Sequence, residues 1–239
     1  MFGKGGEKMK ILAIDSSATV ASVAVLEDDK IISHFSLNTG FTHSQTLLPM
    51  VESALDTAKI TIDNIDLIAV SNGPGSFTGV RIGVATAKGL AYKNNTDCVG
   101  VSTLEAMAMN FQGEENTVIF AVMDARRMQV YNAVFEINND KITRICDDRP
   151  ISINDLKADL EKYSDKKIIF VGDGAKLCYN ELKNDFPSIK LANGFLRYQD
   201  AYGVAMAAKN STAVKGENLM PTYLRLAQAQ RELKLKRGE

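Results

Sequence analysis

Apolar and polar positions along this chain switch between a period of two and a period near four, and the switch points mark the elements. Ile11-Leu12-Ala13-Ile14 is a nearly all-apolar block of strand length that runs into the polar turn Asp15-Ser16-Ser17-Ala18-Thr19. Two further blocks follow at hairpin spacing, residues 21–26 and 31–36, so three consecutive antiparallel strands are predicted to open a mixed sheet. Leu47, Leu48, Val51, Leu55 and Ala58 then recur at helical spacing, with Thr42 or Ser44 as cap. Pro49 inside that pattern calls for a kink or a first-turn position. The buried strand 67–70 leads into Ser71-Asn72-Gly73-Pro74-Gly75-Ser76-Phe77-Thr78-Gly79-Val80-Arg81-Ile82-Gly83. A helix of small side chains follows, over about residues 79–94, and then a strand at 98–101.

The second half repeats the plan. Ser102 and Glu105 have capping-box spacing ahead of a methionine-rich helix at 104–111, whose methionines read as core filler. Strands are predicted at 118–122, 129–137, 141–146 and 167–171, and helices at 153–163, 176–185 and 201–209. Gly172-Asp173-Gly174-Ala175 forms a second glycine corner between strand and helix. Each half thus shows hairpin strands, helix, strand, glycine corner and helix, an α/β architecture with no linker and no low-complexity tract.

Composition narrows this picture. The chain of 239 residues suits one large domain or two lobes of about 100 residues each. Lysine plus arginine number 28 against 29 acids, a formal charge of -1, which removes non-specific nucleic-acid binding by bulk charge. Cys98, Cys146 and Cys178 are widely spaced, form no CxxC and read as reduced thiols of a cytosolic protein. With only His34 and His43, a histidine-rich metal site is excluded. No apolar run approaches membrane-spanning length. The first ten residues lack the apolar core of a signal peptide, and Met9 is the expected natural start after an appended or disordered arm.

Several residues are candidates for chemistry, each with a structural reading beside the functional one. Asp15, at the end of the first strand, can orient a metal-bound phosphate or a water, or accept bonds from its own turn. The Gly73–Gly83 corner can offer amides to an anion. It is neither GxxxxGK[ST] nor GxGxxG, and its glycines equally permit a tight bend and close helix–sheet packing. Asp124-Ala125-Arg126-Arg127 can bind phosphate or close a surface ion pair. Gly172 and Gly174 can pack against a base or ribose, or simply turn the chain into a helix. His43 at a helix start reads as a cap or a surface residue as readily as a base. No serine, histidine and acid set has the spacing of a hydrolase.

The chain resembles the bacterial TsaB (YeaZ) family over residues 9 to about 226. The resemblance is carried by Ile11-Leu12-Ala13-Ile14-Asp15-Ser16-Ser17, by His43-Ser44, by the long stretch from Asn72 to Gly83, by Val122-Met123-Asp124-Ala125-Arg126 and by Pro221-Thr222-Tyr223-Leu224-Arg225. It implies an actin-like ATPase (ASKHA) fold of two lobes, each with a mixed sheet flanked by helices. It further implies a non-catalytic scaffold and activator in making N6-threonylcarbamoyladenosine at position 37 of tRNAs that read codons beginning with A. The implied partners are a TsaD-like paralogue, a TsaE-like ATPase docking on that pair, and a second copy of the chain when the paralogue is absent. Contact with tRNA is expected to be indirect, the location cytoplasmic, with no membrane and no cofactor. The alternative is an actin-fold phosphotransferase or a peptidase-like enzyme.

The sequence departs from the active relatives in two places. The metal-holding HxxxH of TsaD-like proteins is reduced to His43, and one imidazole cannot supply that site. The glycine-rich phosphate turns of active members here read Asp15-Ser16-Ser17 and Asp124-Ala125-Arg126. Asp15, Ser16, Ser17, Asp124, Arg126, Gly172 and Gly174 are therefore expected to line a vestigial nucleotide cleft, with no catalytic residue and no metal. The helices at 44–58 and 79–94 are implied as the association surface, with Leu47, Leu48, Val51, Leu55, Arg81, Val84, Ala87, Lys88, Leu90 and Ala91 as interface candidates. Ala87 stands out as a small residue expected to be exposed. The expected division is a first lobe at 9–102, a second at 103–216, and a segment at 217–230 that packs back on the first. Residues 1–8 and 231–239 are expected to be disordered.

Overall fold

The structure, a computed structural model, describes residues 8–225. The first half contains β1 (Lys10–Asp15), β2 (Ala21–Glu27), β3 (Lys30–Leu37), α1 (His43–Ala58), β4 (Leu67–Gly73), α2 (Phe77–Tyr92) and β5 (Asp97–Ser102). The second contains α3 (Thr103–Met109), β6 (Thr117–Asp124), β7 (Gln129–Asn138), β8 (Lys141–Arg144), β9 (Arg149–Ser152), α4 (Leu156–Glu161), β10 (Lys167–Val171), α5 (Ala175–Leu182) and β11 (Ile189–Leu191). The chain then returns through α6 (Ala201–Ala208) and β12 (Val214–Lys215).

Two six-stranded mixed sheets result. The first has the order β12-β5-β4-β1-β2-β3, with β1, β4 and β5 parallel and β1-β2-β3 an antiparallel meander. The second has the order β11-β10-β6-β7-β8, with β6, β10 and β11 parallel and β9 beside β7. The same plan occurs twice, as the sequence predicts.

β1 sits mid-sheet and is buried on both faces, which is why it reads as an unbroken apolar block. Leu12 and Ile14 point to the layer of α1 and α2, and Ile11 and Ala13 point to α6. α3 and α6 pack against each other between the sheets. Ala106 of α3 faces the first core, while Leu104 and Met107 face the second. Met107 is fully buried, as filler should be. Burial pushes the Cys98 thiol up to about 11 and the Cys178 thiol up to about 12, so both are packing residues rather than nucleophiles.

Some boundaries differ from expectation. α2 starts at Phe77 because Ser76 caps it, its Oγ accepting the Gly79 N–H. α4 is shorter than the predicted helix, since Ser152 and Asp155 form a side-chain turn that delays its start. Ser102 caps α3, but the box is not closed, because the Glu105 carboxylate turns to Arg144 instead. Pro49 lies in the interior of α1 on its exposed side. The division at 102 and 216 also needs correction. α6 covers the Ile11 and Leu26 face of the first sheet and β12 pairs with β5, so residues 201–215 pack with the first sheet although they follow the second. The apolar, small-sided surface of α6 is what that face of β1 and β2 requires. The expectations for residues 1–7 and 226–239 lie outside the described residues.

Candidate functional site

A cleft of about 680 Å³ opens between the sheets at the C-terminal ends of β1 and β6, the usual ligand position of open α/β sheets. Of the seven residues expected there, Ser17, Asp124 and Arg126 line it. Asp15 and Ser16 lie buried beneath the first turn. Gly172 and Gly174 lie buried beneath the second corner and only Asp173, between them, reaches the surface of the cleft. Gly172 takes φ +107°, and a Cβ there would meet the Val122 carbonyl.

Sequence reasoning missed one whole wall. Thr222, Tyr223, Leu224 and Arg225 line the cleft together with Phe77 and Tyr131. This C-terminal strap is tied to the first sheet where Thr222 N–H donates to the Asn72 carbonyl at 2.7 Å. It is tied to the second where Arg225 donates to the Ala125 carbonyl and to Gln129 and lies over the Tyr131 ring. An aromatic-arginine pair in the tail motif was the available signal.

The polar groups of the two turns are spent on the protein itself. Asp15 Oδ1 accepts from the Ser17 N–H at 2.8 Å and from the Ser17 hydroxyl at 2.7 Å, while Oδ2 accepts from Ser71. The Asp124 N–H donates to Asp173, the Arg126 N–H to Asp124, and the Gly174 N–H to the Val122 carbonyl. The Ser17, Asp124, Arg126 and Gly174 amides are thus already engaged within the chain. Burial, aided by the nearby Asp124 charge, holds the Asp173 carboxyl above its ordinary value against the bond from the Asp124 N–H. Mg-ATP is therefore expected to bind more weakly than about 1 mM, an affinity below about 4 kcal/mol. Calorimetric titration giving a micromolar Kd would overturn this.

Burial raises the Asp15 carboxyl pKa above its usual 3.8 despite three hydrogen bonds. The folded state then holds this proton more tightly than the unfolded chain does. Stability falls as pH rises from 3.8 through the folded pKa and levels off above it. Asp15→Asn is expected to flatten that slope in urea titrations and to cost less than about 1 kcal/mol at pH 7. A loss above about 3 kcal/mol at pH 7 would show that the charged form is required.

The glycine corner is a seat for α2. The Ser76 N–H donates to the Ser17 carbonyl at 2.7 Å, and the Ser16 hydroxyl donates to the Gly79 carbonyl at 2.9 Å. A Cβ on Gly79 would stand 2.1 Å from the Ser16 carbonyl oxygen, so backbone meets backbone there. Gly73 takes φ +126°, and a Cβ there would fall 2.3 Å from the Thr222 carbonyl oxygen. His43, opening α1, closes the same region by bonding through Nε2 to the Ala18 carbonyl. Among the described residues no three His, Cys, Asp or Glu side chains gather as a metal site, and no helix is long and apolar enough to cross a membrane.

α1 and α2 lie side by side over the first sheet. Six of the ten interface candidates face inward: Leu47, Val51, Leu55, Val84, Ala87 and Ala91 are buried in the core. Ala87 is fully buried rather than exposed. The apolar residues of an amphipathic helix face its own sheet, so picking by hydrophobicity selects the buried side of α1 and α2. Leu48 and Arg81 are exposed, Lys88 and Leu90 half-buried, and Lys88 is engaged by the Glu217 and Leu219 carbonyls. The outer face of α2 is formed by Thr78, Arg81, Ala85, Gly89 and Tyr92. Between Arg81 and Tyr92, which is 89% exposed, it carries only the small residues Ala85 and Gly89.

Two sheets of this plan around a cleft define an actin-like ATPase fold. The family model described as "TsaD: tRNA N6-adenosine threonylcarbamoyltransferase" matches residues 38–232. The "tRNA threonylcarbamoyladenosine biosynthesis protein TsaB" of Bacillus subtilis (strain 168) is 31% identical over 227 residues, 93% of this chain and 96% of that protein. Its namesake in Escherichia coli (strain K12) is 40% identical over 135 residues, 56% of this chain and 58% of that protein. The solved structure "YeaZ from Pseudomonas aeruginosa" superposes with a TM-score of 0.76 at 26% identity, over 90% of this chain and 100% of that one. Within the group the TsaD model describes, the chain belongs to the TsaB (YeaZ) family.

Proposed function

We propose that this protein is a scaffold and activator subunit that docks a TsaD-like paralogue on the outer face of α1 and α2, in the cytoplasm. Its family membership makes it a non-catalytic component of tRNA threonylcarbamoyladenosine biosynthesis, and the phosphotransferase or peptidase reading is not favoured. A TsaE-like ATPase then docks on the pair, the chain pairs with itself when the paralogue is absent, and tRNA contact is indirect. The observation that carries the docking surface is the exposed side of α2, where Ala85 and Gly89 offer backbone-close approach between Arg81 and Tyr92, with Leu48 of α1 alongside. Small residues let two helices come close enough for continuous dispersion contact. The engaged turn amides of the cleft support a role that does not depend on hydrolysis within this chain. The test is reconstitution of the tRNA modification from purified paralogue, ATPase and tRNA, with and without this chain. Full modification in its absence would refute the proposal.

A further inference from the structure

Arg81 differs from an ordinary surface arginine. Its guanidinium carbon lies 3.7 Å from the centre of the Phe77 ring, one helical turn earlier on α2. Its Nε donates to the Tyr223 hydroxyl at 2.7 Å. The Tyr223 ring packs on Phe77 with centroids 5.1 Å apart and planes at 33°. Tyr223 is itself held, because Asn72 Nδ2 donates to the Thr222 hydroxyl at 3.2 Å and to the Met220 carbonyl at 3.1 Å. An exposed arginine otherwise samples many rotamers, and an isolated ion pair on a surface is worth little for that reason. Here the ordering is done before any partner arrives. Among the described residues the two terminal nitrogens of Arg81 make no hydrogen bond and no ion pair, so the fork that matches a planar anion is left open on an exposed helix face.

We propose that Arg81 is a preset receptor for a carboxylate on the docked protein partner, and that Tyr223 of the C-terminal strap is its positioning residue. The inference rests on the docking reading above and names the chemistry of one contact within it. A carboxylate is the planar anion that a protein side chain offers, and it can accept from both terminal nitrogens of the fork at once. The strap thereby belongs to the partner surface although it also forms a wall of the cleft. Phe77 and Tyr223 line the cleft, and the guanidinium stacks on that aromatic pair.

The experiment measures the Kd of the purified TsaD-like paralogue for the full chain and its variants. Arg81→Ala is expected to weaken binding about 30-fold, and Arg81→Lys about 10-fold, since lysine keeps the charge but loses the fork. Tyr223→Phe keeps the ring stack and loses only the hydroxyl. It is expected to weaken binding about 4-fold in the native background and not at all in Arg81→Ala, the non-additivity that a purely structural tyrosine would not show. Ala85→Glu separates the two readings. Loss of binding in Ala85→Glu with an unchanged Kd in Arg81→Ala overturns this inference and leaves the docking face standing. An unchanged Kd in Ala85→Glu overturns the docking face itself. Unchanged paralogue binding in Arg81→Ala together with weakened tRNA binding assigns the fork to phosphate and also overturns the inference. Matching melting temperatures for all variants show that the changes arise in binding.

Discussion

Ala85→Glu is expected to weaken binding of the paralogue by at least about 100-fold while leaving the fold intact. Ala85 is on the exposed face of α2, so the free protein can hydrate the new carboxylate, and glutamate is a good helix former. In the complex the same carboxylate would be desolvated, and pairing with Arg81 one turn earlier would occupy the fork meant for the partner, a combined cost of about 3 kcal/mol. Ala87, two residues on, gives the contrasting result. It is fully buried in the core beneath α1 and α2, and Ala87→Glu is expected to destabilise the chain by more than about 4 kcal/mol through an unpaired buried charge and overpacking. Calorimetric binding together with thermal unfolding followed by circular dichroism checks both. A stable, folded Ala87→Glu protein that merely fails to bind would return that residue to the interface.

Gly79→Ala also has a large expected effect, on stability rather than on binding chemistry. The added methyl would lie 2.1 Å from the Ser16 carbonyl oxygen. The neighbouring atom is backbone, and the Ser16 hydroxyl is already bonded to the Gly79 carbonyl. Relief therefore requires α2 to lift off the turn after β1, at an expected cost of about 3 kcal/mol. Lifting α2 also shifts Phe77 and Arg81 near its start, so paralogue binding should weaken in parallel. Urea denaturation showing a loss below about 0.5 kcal/mol would mean that the corner is not the close seat described.

Part of this protein was legible before its structure. β1, β4, β6 and β10 announce themselves because strands buried on both faces carry unbroken apolar runs, 11–14, 67–70, 118–123 and 168–171. The small residues of α2 and α6 signal close packing, and the long glycine stretch identifies the family. The site was legible only in outline. Asp15, Ser16 and Ser17 sit in one turn, and nothing in their order says that only Ser17 reaches the cleft while Asp15 is sealed against Ser71, 56 residues away. The strap was expected to pack back on the first lobe, but its place as a wall of the cleft was not legible, because Tyr223 meets Arg81 across 142 residues of chain.

The amino-acid sequence by itself determined the longer elements, the doubled plan and the family, since periodicity and local turn chemistry act over a few residues and survive without tertiary context, whereas the short strands β9, β11 and β12 form only by pairing with their neighbours. Tertiary structure alone decided which side of α1 and α2 remains outside, where 201–215 belongs, and what becomes of the glycine corner. The physical reason is that burial is a property of pairs of elements. Val84 and Ala87 on one helix are core because a sheet lies beneath them, and Ala85 and Gly89 are surface because nothing in the described chain lies above.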